Sequence, residues 1–169
     1  GIWDADGNLI FDSGDFIERK IAELDPDNFN STNDENDSQK NRSDDKGPEP
    51  EAIEIAKFNG SVFALVGLER VGGVMVFDIS DPIAPAYVSY LNNRDFTVED
   101  VMTSEVGDLG VEDIRFISPE DSPVETALVL TANEVSGTVT IFSVNEIPET
   151  SSADELDLAA YKFNIGPVP

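Results

Sequence analysis

Cysteine and histidine are both absent from this chain. That removes whole classes of chemistry. No Ser-His-Asp triad, thiol nucleophile, disulfide or zinc-finger site can be built from it alone. A zinc or iron site would have to rely on carboxylates. Donor sets made only of oxygen point instead to Ca²⁺ or Mg²⁺. Cations are also scarce, with 10 Lys and Arg against 35 Asp and Glu and a net charge of -25 over 169 residues. Such a field repels nucleic acid and anionic lipid, so neither is an expected partner. It suits a protein that holds hard cations or works in salty water. No apolar run reaches membrane-spanning length. Gly1-Ile2-Trp3-Asp4 lacks the basic start and apolar stretch of a signal peptide, so the chain reads as an interior piece of a longer one. The lack of cysteine fits a bacterial extracellular protein.

Against these absences, apolar residues make up 40% of the chain, enough for one modest core. Ile2-Trp3 and Leu9-Ile10-Phe11 flank Asp6-Gly7-Asn8, which predicts a hairpin over 1–12. Asp4-Ala5-Asp6-Gly7-Asn8 begins like a calcium loop, but Leu9 stands where an EF-hand needs glycine, so the turn reading holds. Residues 15–24 carry Phe16, Ile17, Ile21 and Leu24 at helical spacing, with Ser13 or Asp15 as the cap. Residues 25–50 are almost entirely Asp, Asn, Ser, Glu, Lys and Pro. That composition predicts either a linker without fixed structure or a long acidic loop ordered by metal. Strands are expected at 51–58, 62–69, 73–79, 86–91, 112–117, 126–132, 137–144 and 156–164.

An internal repeat organises those strands. Glu69 and Glu134, Gly72 and Gly137, and Phe77 and Phe142 are all 65 residues apart, within matching apolar runs. Upstream, Glu51-Ala52-Ile53 matches Glu112-Asp113-Ile114 at a spacing of 61. The difference of four falls in a turn, where Asn59-Gly60-Ser61 becomes the longer Ser118 to Pro123 stretch. Each copy holds about four strands in a meander, the unit of a propeller blade. The expected fold is therefore all-β: a partial β-propeller of about two and a half four-stranded blades, with one short helix and a long acidic loop. Its parts are an outer hairpin at 1–12, helix and loop at 13–50, and blades at 51–91 and 112–164. The competing arrangement is a two-sheet sandwich. A partial propeller needs covering partners, either the remaining blades of a longer chain or a neighbouring copy.

The blade topology also places carboxylates. The loop entering an inner strand and the loop leaving the second strand share one face. Asp44, Asp45, Glu49, Glu51, Glu69, Glu112 and Glu134 are thus expected to crowd together near the central channel. Like charges at such range repel, and a dication with six to eight oxygen ligands offsets that. The alternative is a solvated acidic surface. Arg42 and Lys46 bracket Ser43-Asp44-Asp45, Arg70 follows Glu69, and Arg94 follows Asn92-Asn93. Cations beside a metal can grip a phosphate oxyanion, or they can simply neutralise neighbouring carboxylates.

Four stretches carry a resemblance. They are Asn41-Arg42-Ser43-Asp44-Asp45-Lys46-Gly47-Pro48-Glu49-Pro50-Glu51, the run from Gly67-Leu68-Glu69-Arg70 to Ser80-Asp81-Pro82, Asn92-Asn93-Arg94-Asp95-Phe96, and Ala132-Asn133-Glu134-Val135-Ser136-Gly137-Thr138. From Trp3 to about Val144 the chain resembles the choice-of-anchor I family. That family includes secreted bacterial proteins named alkaline phosphatases and mesenchyme-specific cell-surface glycoproteins. Where the family has Pro-Glu-Gly, this chain has Pro50-Glu51-Ala52 and Val111-Glu112-Asp113, keeping the glutamates but not the glycines. The resemblance implies a propeller, a secreted or cell-surface (extracellular or periplasmic) location, calcium and a phosphatase-like activity on a phosphoester substrate. In that mechanism the metal set is the seven carboxylates named above, with Arg42 and Lys46 stabilising transition-state charge. The rival function is a non-catalytic calcium-binding module for adhesion or mineral contact.

Overall fold

In the computed structural model, which describes residues 1–145 and 164–167, the apolar alternation becomes three antiparallel sheets. Strands β1 (Ile2–Trp3) and β2 (Leu9–Phe11) pair as a hairpin. Its turn is an Asx structure: Asp4 Oδ1 accepts from the Asp6 and Asn8 amides at 2.9 and 2.8 Å. Helix α1 (Phe16–Leu24) follows. Neither expected side chain caps it, because the Asp15 carboxylate turns to Arg19 at 2.9 Å and Ser13 contributes only its carbonyl, to the Phe16 amide. Ile21 is buried and Phe16 packs edge-on against Phe77, while Leu24 stays exposed.

The second sheet runs β3 (Pro50–Phe58), β4 (Ser61–Leu68), β5 (Val74–Asp78), β6 (Ala86–Leu91) in spatial order. Asn59 and Gly60 link β3 to β4 with φ of 49° and 85°, the two-residue hairpin turn that Asn-Gly favours. The third sheet contains β7 (Val111–Ile117), β8 (Leu128–Asn133), β9 (Thr138–Asn145) and β10 (Asn164–Pro167), again in sequence order. The strand expected over 156–164 lies outside the described residues except for Asn164. Among the described residues there is one α-helix, no sheet closes into a barrel, and no helix is long and apolar enough to cross a membrane.

The main core lies between the second and third sheets. Ala52, Ala56 and Phe63 from one meet Val111, Ile114 and Phe142 from the other. Gly67 sets the closeness of that approach. A Cβ there would sit 2.8 Å from Val111 Cγ1, 3.0 Å from Ala52 Cβ and 3.2 Å from Ile114 Cδ1. Overpacking of this kind costs about 1–3 kcal/mol. Gly67→Ala is therefore expected to lower the urea midpoint of unfolding with an unchanged slope. An unaltered midpoint would show that the sheets can separate freely there.

The 25–50 segment packs against the body as a loop, turning uncharged polar side chains inward. Asn30, Ser31, Thr32, Asn33, Asn36 and Ser38 are buried. Asn30 Nδ2 donates to Glu18 Oε1 at 2.6 Å, and Asn36 Nδ2 donates to the Asp95 and Val98 carbonyls at 2.9 and 2.6 Å.

Candidate metal centre

Two β-bulges build the site. In the β3–β4 pairing the register shifts between Pro50 and Ala52, and in β7–β8 it shifts between Val111 and Asp113. The extra residues are Glu51 and Glu112. A bulge takes a side chain out of the normal alternation and re-aims it. Two residues upstream of each, Glu49 and Gly110 have φ of 53° and 74°. The chain leaving the neighbouring strand is pinned there. Glu69 N–H donates to the Glu49 carbonyl at 2.8 Å, and Glu134 N–H to the Gly110 carbonyl at 2.7 Å. The next amides, Arg70 and Val135, donate to Pro48 and Leu109 at 3.2 and 3.1 Å. The same backbone device thus appears once in each repeat. Glycine takes the left-handed position freely in the second copy. Glu49 holds it in the first at a cost of about 1–2 kcal/mol, as strained residues at functional clusters often do.

Five glutamates converge as a result. Glu49, Glu51 and Glu69 each bring a carboxylate oxygen within 4.8 Å of the others, and so do Glu69, Glu112 and Glu134. Glu69 belongs to both groups and is only 4% exposed, while Glu51, Glu112 and Glu134 lie exposed around it. Its Oε1 accepts from Asn33 Nδ2 at 2.9 Å and faces Arg70 at 3.3 Å. Burial, reinforced by the Glu51 and Glu49 carboxylates, pushes the Glu69 pKa up to about 7. What burial Glu112 has, together with the charges of Glu134 and Glu51, raises its pKa as well. Glu49 is the exception. Burial works to raise its pKa, but hydrogen bonds from Lys46 and Arg70 outweigh that and hold it below the usual carboxylate range.

The remaining expected site residues are placed differently. Asp44 and Asp45 are exposed and belong to neither group of converging carboxylates. Asp45 pairs with Arg42. Lys46 pairs with Glu49 and so stands at the edge of the cluster, beside Arg70, whose Nε donates to Glu49 Oε2 at 2.5 Å. Arg94 is 6% exposed and has no carboxylate partner among the described residues. Its Nε donates to Asn36 Oδ1 at 2.9 Å, Nη1 to the Thr32 and Arg70 carbonyls at 2.8 and 3.1 Å, and Nη2 to the Glu35 carbonyl at 2.9 Å. Its guanidinium lies 4.2 Å from the Phe96 ring centre. Sequence reasoning missed Asn33, for which a neutral amide in an acidic run gives no signal.

The oxygen donors present fit a hard dication. They are carboxylates only, one is deeply buried, and burial with the Glu51 and Glu49 carboxylates beside it raises the pKa of Glu69. Residues 1–82 match the Choice-of-anchor I domain family, a span that carries Glu49, Glu51 and Glu69. Over 144 residues the chain is 29% identical to Gigasin-3a of Magallana gigas, an alignment covering 80% of this chain and 51% of that protein. No solved structure gives a significant match. The chain is thus similar in its first 82 residues to the Choice-of-anchor I domain, and it spans about half the length of the curated relative it matches.

Proposed function

We propose that this chain is a calcium-holding section of a secreted or cell-surface β-propeller of the choice-of-anchor I kind. Glu49, Glu51, Glu69, Glu112 and Glu134 are its oxygen donors. The observation that carries this reading is Glu69, buried and shared by two converging carboxylate groups. A bound dication supplies the positive charge those oxygens lack. The chain's own contribution is to gather two bulge glutamates and the strand-end Glu134 around the buried Glu69 and to hold Glu49 with Lys46 and Arg70.

The propeller part rests on which way equivalent faces point. Val74 and Val76 of the second sheet are buried against the third. Their counterparts 65 residues on, Val139 and Ile141, are 69% and 44% exposed on the third sheet's far side. Conversely, Ile114 and Phe116 pack against the second sheet, while their counterparts Ile53 and Ile55 are 65% and 51% exposed. In a sandwich of two like sheets the matching faces would meet. Here both sheets face the same way, as successive blades do. Helix α1 covers part of the second sheet's outer face, over Met75 and Phe77. Partners for the apolar residues left exposed, Ile53 and Ile55 on one sheet and Val139 and Ile141 on the other, are further sheets of the same repeat, from a longer chain or a neighbouring copy.

Metal-assisted phosphomonoester hydrolysis is the second reading, favoured by Lys46 at the edge of the cluster. Arg42, spent on Asp45, does not add to it. Release of phosphate from a generic phosphomonoester, present with calcium and abolished by chelator, separates the two.

Calcium at about 100 times its Kd is expected to add about 2.7 kcal/mol of stability, a rise in Tm of roughly 5–10 °C. Glu69→Gln is expected to remove most of that rise. A calcium titration unchanged in this variant would sink the site. The pH dependence has a definite sign. Glu69 titrates near 7 in the fold against an ordinary 4.5. Between those values the unfolded chain has lost the proton and the folded one keeps it. Stability in chelator therefore falls as pH rises from about 4.5 through 7, and calcium binding tightens over the same range as the proton is displaced. Melting in chelator at a series of pH values checks this, with a shallower fall expected in Glu69→Gln.

A further inference from the structure

We infer that Asn33 is a positioning residue for Glu69, and that the 25–50 loop thereby sets how tightly the glutamate cluster holds a cation. This rests on the calcium reading above and goes beyond it by assigning control of the site to a residue that is not a ligand.

The amide of Asn33 is oriented by its neighbours. Arg70 Nη1 can only donate, and it donates to Asn33 Oδ1 at 2.9 Å. That fixes the amide's oxygen toward Arg70 and its nitrogen toward Glu69, where Nδ2 donates to Oε1 at 2.9 Å. The usual ambiguity between the two ends of an amide is thus resolved by the guanidinium. Asn33 is 3% exposed, so the bond is made away from solvent. One oxygen of the Glu69 carboxylate is therefore held, and the plane of the group is set.

Without Asn33, the nearest alternative partner is Arg70 itself, already 3.3 Å from Glu69 Oε1. The carboxylate is then free to turn toward that guanidinium and out of the common centre. Groups outside the ligand set that orient a ligand carboxylate typically change metal affinity by about 10–100-fold.

Asn33 owes its place to the loop around it. Arg94 grips the carbonyls of Thr32 and Glu35 on either side, at 2.8 and 2.9 Å. Apart from Lys46 and Glu49 at its end, the acidic loop reaches the cluster through one neutral amide, and its own Asp34, Asp37, Asp44 and Asp45 lie outside both groups of converging carboxylates.

Isothermal titration with CaCl₂ tests this on the 169-residue chain, alongside Asn33→Ala, Asn33→Ser and Asn36→Ala. Asn36 is buried in the same loop and donates to the Asp95 and Val98 carbonyls rather than to the cluster, so its variant loosens the loop without touching Glu69. The expected result is a Kd raised about 10-fold or more in both Asn33 variants and a smaller change in Asn36→Ala, although both sites lose stability in chelator because both side chains are buried and hydrogen-bonded. Kd values within about twofold of the parent in Asn33→Ala and Asn33→Ser would overturn the assignment. Equal losses in the Asn33 and Asn36 variants would overturn it too, by tracing the effect to loop packing. Absence of calcium binding in the parent chain overturns the calcium reading itself, a distinct outcome.

Discussion

Replacing Arg94 with leucine is expected to free the 25–50 loop from the body of the protein and make it a ready target for proteases. Arg94 sends four hydrogen bonds to three carbonyls and one amide oxygen. Three of these acceptors lie in the loop, on Thr32, Glu35 and Asn36. Bonds from a charged donor contribute about 1.5–3 kcal/mol each, but an opened loop regains water at its carbonyls. A net loss of about 3 kcal/mol follows for the closed loop. At that size the open population rises by about two orders of magnitude. Burial lowers the Arg94 pKa to about 10, which still leaves the side chain charged at neutral pH. Lysine keeps the charge but presents no planar fork, so Arg94→Lys is expected to recover little of the loss. Limited proteolysis mapped by mass reads the result: new cuts within 25–50 in Arg94→Leu, with the two four-stranded sheets intact. A cleavage pattern identical to the parent's would mean that the asparagines alone hold the loop.

That expectation reverses the natural reading of the loop's composition. A stretch rich in Asp, Asn and Ser suggests either a solvated linker or a metal-held segment, because composition does not reveal which side chains turn inward. In the structure Asn30, Asn33 and Asn36 turn inward, and Arg94 and Arg70 supply positive charge from the body. Arg94 lies between Asn93 and Asp95, a setting that suggests a surface ion pair. Its actual partners are 58 to 62 residues away in the loop and at Arg70, a distance over which sequence carries no local signal.

Much else was legible. The alternation in β3 to β9 and the Asn59-Gly60 turn place the strands to within a residue or two of their observed ends. The 65-residue spacing singled out Glu69 and Glu134, and the expected topology put Glu51 and Glu112 on their side; in the structure each joins a separate group of carboxylates that includes Glu69. Topology could not show how Glu51 and Glu112 get there. In a regular strand each would alternate with its neighbours, and only the pairing register reveals that both sit in bulges. Asp44 and Asp45 fail for the opposite reason. They lie near Glu49 in sequence, but a turn and the Arg42 pair direct them outward.

The largest effect in solution is expected from the exposed apolar residues on the outer sides of the two four-stranded sheets. Ile53 and Ile55 occupy the positions through which Ile114 and Phe116 bind the second sheet. Val139 and Ile141 occupy those through which Val74 and Val76 bind the third. These exposed patches therefore correspond to the two halves of an interface the chain already makes once, although helix α1 covers the rest of the second sheet's outer face. Such contacts are head-to-tail, so they propagate rather than close within a pair. The net charge of -25 opposes association at low salt, and its reach shrinks from about 30 Å at 0.01 M to about 8 Å at 0.15 M. Self-association of the 169-residue chain is thus expected to grow with both protein and salt concentration, without the ceiling of a dimer. Light scattering behind size exclusion measures it. Ile53→Lys combined with Val139→Lys is expected to shift the distribution to monomer, with little loss of stability, because both side chains are more than half exposed. A parent chain that stays monomeric across that salt range and melts in one sharp transition would count against the stacked-blade reading. It would favour two sheets that complete one another.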